Sequence, residues 1–384
     1  MAKVATCTAP VNIAVIKYWG KRDQKLILPV NASLSATLSQ SELKAMTTVA
    51  VSKEYESDRI WLNGKEESIS NPRLQNCLRQ VRALCTDPEL ATAHVHICSN
   101  NSFPTAAGLA SSAAGYACLV YCLAKVFNVK GDLSVLARQG SGSACRSMYG
   151  GFVRWDVGVH DDGSDSIAVQ VAPATHWPEM EILVLVVSDA RKEYSSTTGM
   201  QASVETSELL KYRAQHVVPA RMAEMETAIH NKDFQTFAKL TMQDSNQFHA
   251  ICLDTYPPIT YMNDTSRRII SLITKYNSFQ KEIKVAYSYD AGPNAVLFVE
   301  SKNVPQLLSL IKYYFPPTDD QQYYFHGFTD ATSIHDLDGD IISSIELSPS
   351  SGALKYIIHT KVGEGPQLVS DSQEALIGSD GLPK

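Results

Sequence analysis

The sequence has no apolar run approaching the roughly 18 residues that a bilayer crossing needs, which excludes a helical membrane protein. It also lacks an excess of positive charge. Its 34 Lys and Arg stand against 40 Asp and Glu, a formal net charge of −6, which argues against a general nucleic-acid binder. A local basic cluster can outweigh that balance, so an anionic small molecule stays open as a ligand. No C-x-x-C pair occurs among the eight cysteines at 7, 77, 85, 98, 118, 122, 145 and 252. The N-terminal stretch is apolar only in places, interrupted by Thr6, Thr8, Pro10 and Asn12, so no signal peptide is expected. Free thiols in a cytoplasmic, reducing setting are the expectation.

Several catalytic and binding signatures are missing too. There is no G-x-x-x-x-G-K-[ST], no G-x-S-x-G and no H-E-x-x-H. "GSGSAC" puts Cys145 where a G-x-G-x-x-G would need its last glycine. "DLDGD" at 336–340 is followed by Ile341, where a calcium loop needs glycine. His94 and His96 flank Val95, and one face of a half-buried strand explains them better than a metal does.

What is present reads as a soluble two-domain chain: 384 residues, 44% hydrophobic and 19% charged. Residues 1–60 read as strands, with period-2 character at Thr47, Val49 and Val51. "DRIWLNGKEESI" predicts a hairpin turning at Asn63-Gly64. "NPRLQNCLRQVRALC" predicts a helix capped by Asn71, with Leu74, Cys77, Leu78, Val81 and Leu84 on one face. "HVHIC" is a short strand, "YACLVYCLAKVF" a buried helix and "MEILVLVVSDA" a buried strand. Residues 201–278 show mostly helical spacing; "KVAYSY" reads as a strand ending at "DAGPNA", "VPQLLSLIKYYF" as a helix and "LKYIIHTKV" as a late strand. These patterns place one domain over 1–190 and a second over 191–362, with 363–384 expected as a loose tail.

The stretch "PTAAGLASSAAG" at 104–115 has no charge and one side chain larger than threonine, Leu109. It directly precedes the buried helix. Small side chains there let phosphate oxygens reach the N–H groups at a helix start, where the helix dipole adds positive potential. A tight helix–helix contact or a plain serine cap would use the same residues, and composition alone leaves both readings open.

Four segments together resemble one family. "PTAAGLASSA" is similar to the P-x-x-x-G-L-(G/A)-S-S-A phosphate loop of the GHMP kinase superfamily. "APVNIAVIKYWGKRD" at 9–23, "GSGSACRSMYGGFV" at 140–153 and "SYDAGPN" at 288–294 resemble the mevalonate diphosphate decarboxylases within it, in order and spacing along essentially the whole chain.

The resemblance implies an α+β, GHMP-kinase-like two-domain fold. A mixed α/β sheet domain with helices on one side would come first, then a ferredoxin-like domain, with the active site in the cleft between them. It implies conversion of mevalonate 5-diphosphate and ATP to isopentenyl diphosphate, ADP, phosphate and carbon dioxide, a step of isoprenoid and sterol biosynthesis. The alternative is a small-molecule kinase of the same superfamily that does not decarboxylate. ATP as co-substrate, Mg²⁺ and a homodimer are also implied.

The family's residues carry over as follows. Gly108, Leu109, Ala110, Ser111 and Ser112 would bind ATP, with Ser112 a candidate magnesium ligand. Asn12, Tyr18, Trp19, Gly20, Lys21, Arg73, Ser141, Gly142, Ser143, Ala144, Cys145, Arg146 and Thr197 would hold the substrate. A planar guanidinium suits a carboxylate fork, which points to Arg146 for that end. Taken singly, any of these lysines reads as a solvated surface charge. Asp290 matches the catalytic aspartate, although "DAGPN" by itself reads as a turn after a strand. Catalytic groups often sit on such turns, so the two readings agree. Lys17 would either stabilise the transferring phosphoryl group or tune Asp290. Arg154, in "GGFVRWD", receives no role.

Overall fold

A computed structural model describes residues 2–102, 111–190, 194–319, 321, 323–329 and 336–384. The chain opens with short strands: β1 (Lys3–Pro10), β2 (Asn12–Ile16), β3 (Lys21–Asp23), β4 (Leu28–Pro29), β5 (Ser33–Thr37), β6 (Lys44–Ser52), β7 (Arg59–Leu62) and β8 (Lys65–Glu67). Asn63 and Gly64 turn β7 into β8 with φ of 49° and 78°, the left-handed backbone that a two-residue hairpin requires. Helix α1 (Pro72–Leu84) starts where Asn71 accepts a hydrogen bond from the Arg73 N–H and Pro72 removes a donor that would have no partner. Leu74, Cys77, Leu78 and Val81 are buried on it as expected. Leu84 is not. It is 54% exposed, and Cys85, four residues after Val81, packs on the core instead.

Helix α2 (Pro88–Ala91) and β9 (His94–Asn101) follow, then α3 (Ser111–Phe127), α4 (Ser134–Gly140), β10 (Phe152–Trp155) and β11 (Ala168–Ala172). The chain then runs through β12 (Met180–Val186) into a helical stretch: α5 (Ser196–Thr206), α6 (Glu208–Tyr212), α7 (Val218–Asn231), α8 (Phe234–Asp254) and α9 (Asp264–Gln280). It ends with β13 (Val285–Tyr289), β14 (Ala295–Glu300), α10 (Val304–Tyr314), β15 (Phe325–Gly327), α11 (Gly339–Ile345), β16 (Tyr356–Lys361) and β17 (Gln367–Leu368).

Among the described residues, three larger sheets and a two-stranded β3-β4 ribbon organise these elements. One has the order β17-β1-β6-β9-β7-β8, a second β11-β10-β5-β2, and a third β13-β14-β12-β16-β15. Strand β12 explains how they share a core. Its alternate residues Ile182, Val184 and Val186 join the cluster that contains β1, β6 and α3, while Leu183 and Leu185 join a second cluster with α9 and α10. A strand buried on both faces reads as a continuous apolar run, as "EILVLVV" does.

Two expectations are corrected here. Residues 363–384 are not loose. Strand β17 pairs with β1, the Leu376 N–H donates to Thr48 Oγ1, Ile377 is buried, and the Gly381 carbonyl accepts from His96 Nδ1 at 2.7 Å. Polar composition concealed this because backbone pairing needs no apolar side chain. The second layer also begins earlier than residue 190: β12 hydrogen-bonds to β14 and β16. Strand β14, between the "DAGPN" turn and α10, joins β13 to β12 in that sheet and is not among the elements expected above. None of the eight cysteines is paired.

Candidate active site

Strand β2 delivers the first group. It ends at Ile16, and side chains serve both main-chain groups of Lys17. Its N–H donates to Asp244 Oδ1 at 2.7 Å, and its carbonyl accepts from Asn31 Nδ2 at 3.0 Å. The Lys17 side chain, 3% exposed, donates to Ser288 Oγ at 2.7 Å and forms a 2.6 Å ion pair with Asp290 Oδ1. Asp290 closes the turn after β13, where its carbonyl accepts from the Gly292 N–H at 2.8 Å. The turn expected for "DAGPN" is therefore present, and it carries the Asp290 carboxylate to Lys17.

The chain then doubles back. Trp19 is buried against Phe248 and Tyr261 and donates from Nε1 to Ser203 Oγ at 2.9 Å. Gly20 has φ +93°, and a Cβ there would fall 2.9 Å from Val30 Cγ2, so only glycine fits the bend. The bend leads into β3 and places Lys21 beside Arg73. Burial, reinforced by the Arg73 charge, lowers the Lys21 ammonium to about 8. Arg73, in the first turn of α1, donates from Nη2 to Thr197 Oγ1 of α5 at 3.1 Å.

A 3₁₀ turn over Gly142–Met148 supplies the opposite wall. Arg146 is 2% exposed, and two hydroxyls of β5 anchor it: Nε donates to Ser35 Oγ at 3.0 Å and Nη1 to Ser33 Oγ at 2.6 Å. Burial lowers its pKa, but a guanidinium starts so high that the charge is kept. Asn12 Nδ2 holds the turn through the Ser143 carbonyl (3.0 Å) and Ser147 Oγ (2.7 Å), leaving its Oδ1 buried without a partner. The Tyr18 ring packs against Trp155 with centroids 4.6 Å apart and planes tilted by 59°, and its hydroxyl is likewise buried and unpartnered. Gly142 lies so close to this ring that a Cβ would meet it at 2.8 Å.

These side chains line one cavity of about 380 Å³: Asn12, Lys17, Tyr18, Trp19, Lys21, Arg73, Ser112, Ser141, Gly142, Ser143, Arg146, Thr197 and Asp290. Three expected contacts are absent from its wall. Gly20 forms the bend, Ala144 packs in the core, and Cys145 packs against Val153 and Trp155 with burial pushing its thiol to about 12. Gly108, Leu109 and Ala110 lie outside the described residues, and Ser111 is placed as the first residue of α3. Ala14, Met200, Phe248 and Ala291 also line the wall, and no motif or spacing singles them out. Ser196 carries only the signal of its neighbour Thr197.

A second cavity of about 310 Å³ is mostly apolar, walled by Ile60, Leu62, Leu74, Ile97, Tyr116 and Leu119 with Asn63, Ser68 and Asn101 among its polar groups. Ser112, in the first turn of α3, lines both cavities, and its hydroxyl lies 3.3 Å from that of Ser141. Among the described residues no group of three His, Cys, Asp or Glu could hold a metal ion. His94 and His96 go separate ways, to Asp58 and to Gly381.

Comparison with known proteins places this arrangement. Residues 9–168 match the diphosphomevalonate decarboxylase-like N-terminal domain family, and residues 182–369 match the mevalonate 5-diphosphate decarboxylase C-terminal domain family. The chain belongs to the mevalonate diphosphate decarboxylase family. It is 56% identical over 389 residues to the diphosphomevalonate decarboxylase of Danio rerio, covering 100% of this chain and 97% of that protein. The structure of mevalonate diphosphate decarboxylase from Trypanosoma brucei aligns with a TM-score of 0.88 at 38% identity, covering 98% of this chain and 100% of the other. A further decarboxylase structure, MDDEF in complex with MVAPP, AMPPCP and magnesium, aligns with a TM-score of 0.76 at 30% identity over 97% of this chain and 100% of that one. The α+β fold is therefore that of the GHMP-type decarboxylases. Among the described residues, no helix is long and apolar enough to cross a membrane.

Proposed function

We propose that this protein decarboxylates mevalonate 5-diphosphate at the expense of ATP, forming isopentenyl diphosphate, ADP, phosphate and carbon dioxide. The observation that carries the mechanism is Asp290. Among the described residues it is the carboxylate that lines a cavity whose wall also holds Lys17, Lys21, Arg73 and Arg146. A diphosphate and a carboxylate need converging cations; a hydroxyl that must become a nucleophile needs a base.

Lys21 and Arg73 suit the diphosphate, together with the hydroxyls of Ser141, Ser143 and Thr197. Arg146, fixed as a fork by Ser33 and Ser35, suits the carboxylate. The unpartnered Asn12 Oδ1 and Tyr18 hydroxyl supply polar atoms that a ligand can satisfy. ATP would lie with its base in the apolar cavity and its phosphates at the start of α3, because Ser112 joins the two cavities. The Ser112 hydroxyl fits as one protein ligand of a magnesium ion whose other ligands are phosphate oxygens and water. When bound, that ion neutralises phosphate charge.

Asp290 accepts the proton of the tertiary hydroxyl as its oxygen bonds to the γ-phosphorus and ADP departs. Lys17, at 2.6 Å from Asp290, keeps the carboxylate oriented and adds positive charge beside the transferring group. The C–O bond then breaks with loss of phosphate. The electrons of the carboxylate C–C bond form the new double bond, and carbon dioxide leaves, so no redox partner is needed. The two structural units meeting at this cavity are proposed as residues 2–172 with 367–384, and residues 180–361, which is supported by the sheet pairing. The test is incubation with ATP, magnesium and carboxyl-labelled mevalonate diphosphate. Labelled carbon dioxide released one to one with ADP is expected; ADP without it would instead mark a plain kinase.

A further inference from the structure

Lys17 follows β2 and Asp290 follows β13, strands of different sheets, yet their side chains meet at 2.6 Å. No ladder hydrogen bond joins the two strands, and Ser288 Oγ of β13, donating to the Ala14 carbonyl of β2 at 3.2 Å, ties them directly. Helix α8 touches both anchors with consecutive residues: Asp244 Oδ1 accepts the Lys17 N–H at 2.7 Å, and Ser245 Oγ accepts the Tyr289 N–H at 2.9 Å, one residue before Asp290.

Arg213 completes the grip. Its Nη1 and Nη2 donate to the two Asp244 oxygens at 2.8 and 2.7 Å, and Nη2 also reaches the Lys17 carbonyl at 3.2 Å. Arg221 adds a second cation on Asp244 Oδ2 at 3.0 Å. Arg213 and Asp244 are both 0% exposed. Arg213 opens a π-helical turn, Arg213–Val217, a rare geometry that is frequent at functional sites.

A fully buried ion pair is a poor source of stability, because desolvation offsets most of the attraction and an apolar replacement is often as stable. What such a pair does supply is direction: a bidentate fork holds a main-chain position within narrow limits. We propose that Asp244, Arg213 and Ser245 are positioning residues that fix the Lys17–Asp290 pair for phosphoryl transfer. None of the three lines the substrate cavity; they act through Lys17 and Asp290. The inference rests on the role proposed for Asp290.

The test is a double-mutant cycle on the full-length protein. Ser245→Ala removes one hydrogen bond and leaves the ion pair intact; Asp244→Asn keeps an acceptor for the Lys17 N–H but removes the charge. Each is made in the wild type and in Asp290→Asn. Turnover is measured as ADP formation, and affinities for mevalonate diphosphate and a non-hydrolysable ATP analogue are measured by calorimetry, well below the melting temperature.

Ser245→Ala should lower kcat about tenfold in the wild type, the scale of a small misplacement of a reacting group, with both affinities within about twofold. In Asp290→Asn the same change should cost less than about twofold, because the group it positions is already disabled. A merely structural role predicts the same fractional loss in both backgrounds. That result, or an unchanged kcat in Ser245→Ala, overturns the proposal. If Asp244→Asn does not fold, the Ser245→Ala cycle decides alone. A wild type that is folded but releases no carbon dioxide overturns the functional reading and this inference with it.

Discussion

Lys17 and Asp290 are 273 residues apart in sequence and 2.6 Å apart in space. The lysine is almost wholly buried, whereas the aspartate is 28% exposed to the cavity. One partner is therefore a fixed post and the other faces the ligand. That asymmetry supports the proton-accepting role proposed for Asp290 and the orienting role proposed for Lys17.

Asp290→Asn keeps the side-chain shape and removes proton acceptance. Turnover should fall by about 10²–10⁴-fold, the usual worth of a general base. Substrate affinity should hold or tighten, since the change removes a negative charge from an anion site. ADP and carbon dioxide should fall together in a paired assay of both products. Near-normal ADP formation without carbon dioxide would show that Asp290 does not serve the phosphoryl-transfer step.

Arg146→Lys should not rescue function. Ser33 and Ser35 hold the guanidinium through two different nitrogens, a geometry that a single ammonium cannot reproduce. Losing charge-assisted hydrogen bonds of this kind costs about 1.5–3 kcal/mol, so kcat/KM should drop at least about tenfold in Arg146→Lys and further in Arg146→Gln. Circular dichroism and a melting curve establish that both are folded. Wild-type kcat/KM in the lysine variant would mean that a point charge is enough.

Lys21 should make substrate affinity depend on pH. Burial and the Arg73 charge bring its ammonium to about 8 in the free protein. A bound diphosphate favours the charged form, so binding takes up a proton above that pH. The Kd for mevalonate diphosphate should be flat below pH 8 and rise toward about tenfold per pH unit above it. Calorimetry from pH 7 to 9.5 measures this, and Lys21→Arg should flatten the curve. Equal slopes in both proteins would assign the effect elsewhere.

Gly115 gives access to the apolar cavity without disturbing the fold. It lines that cavity from α3, and a Cβ there meets nothing within 4 Å. Gly115→Leu should leave the melting temperature unchanged or raise it, because leucine is the better helix former by somewhat under about 1 kcal/mol. The added side chain should weaken ATP-analogue binding at least about tenfold while mevalonate diphosphate affinity stays within about twofold. Unchanged nucleotide affinity would remove the base from this cavity.

His249 sets an acid limit on stability. Burial, then the neighbouring Lys17 charge, depresses it from 6.5 to about 3. Below pH 6.5 the unfolded chain takes up a proton there that the folded protein refuses. The stability present above 6.5 is therefore lost as pH falls toward 3, at up to about 1.4 kcal/mol per unit. His249→Phe should reduce the slope of melting temperature against pH between 6.5 and 5; an unaltered slope would place the acid sensitivity in other groups.

Sequence alone determined the local elements and much of the cavity wall. Asn63-Gly64 dictates its hairpin because only such residues accept that backbone, and Asn71-Pro72 dictates a helix start for the same kind of short-range reason. The motif residues Lys17, Tyr18, Lys21, Arg73, Ser141, Ser143, Arg146 and Asp290 could be named in advance, and the structure brings them to one cavity. Tertiary structure decided which of their neighbours turn away. Ala144 and Cys145 sit in the same short motif as Ser143 and Arg146 yet face the core, because a 3₁₀ turn sends successive side chains in different directions. It also decided the contacts that have no periodic signature. Asp244 and Arg213 look like ordinary charged residues of helical segments. Ser33 and Ser35 look like ordinary strand residues, and the last 22 positions look like a solvated tail. Hydrophobic periodicity reports only which face of an element is buried. A buried polar group is specified by a partner supplied from elsewhere in the chain, and that partner is fixed only once the layers have packed.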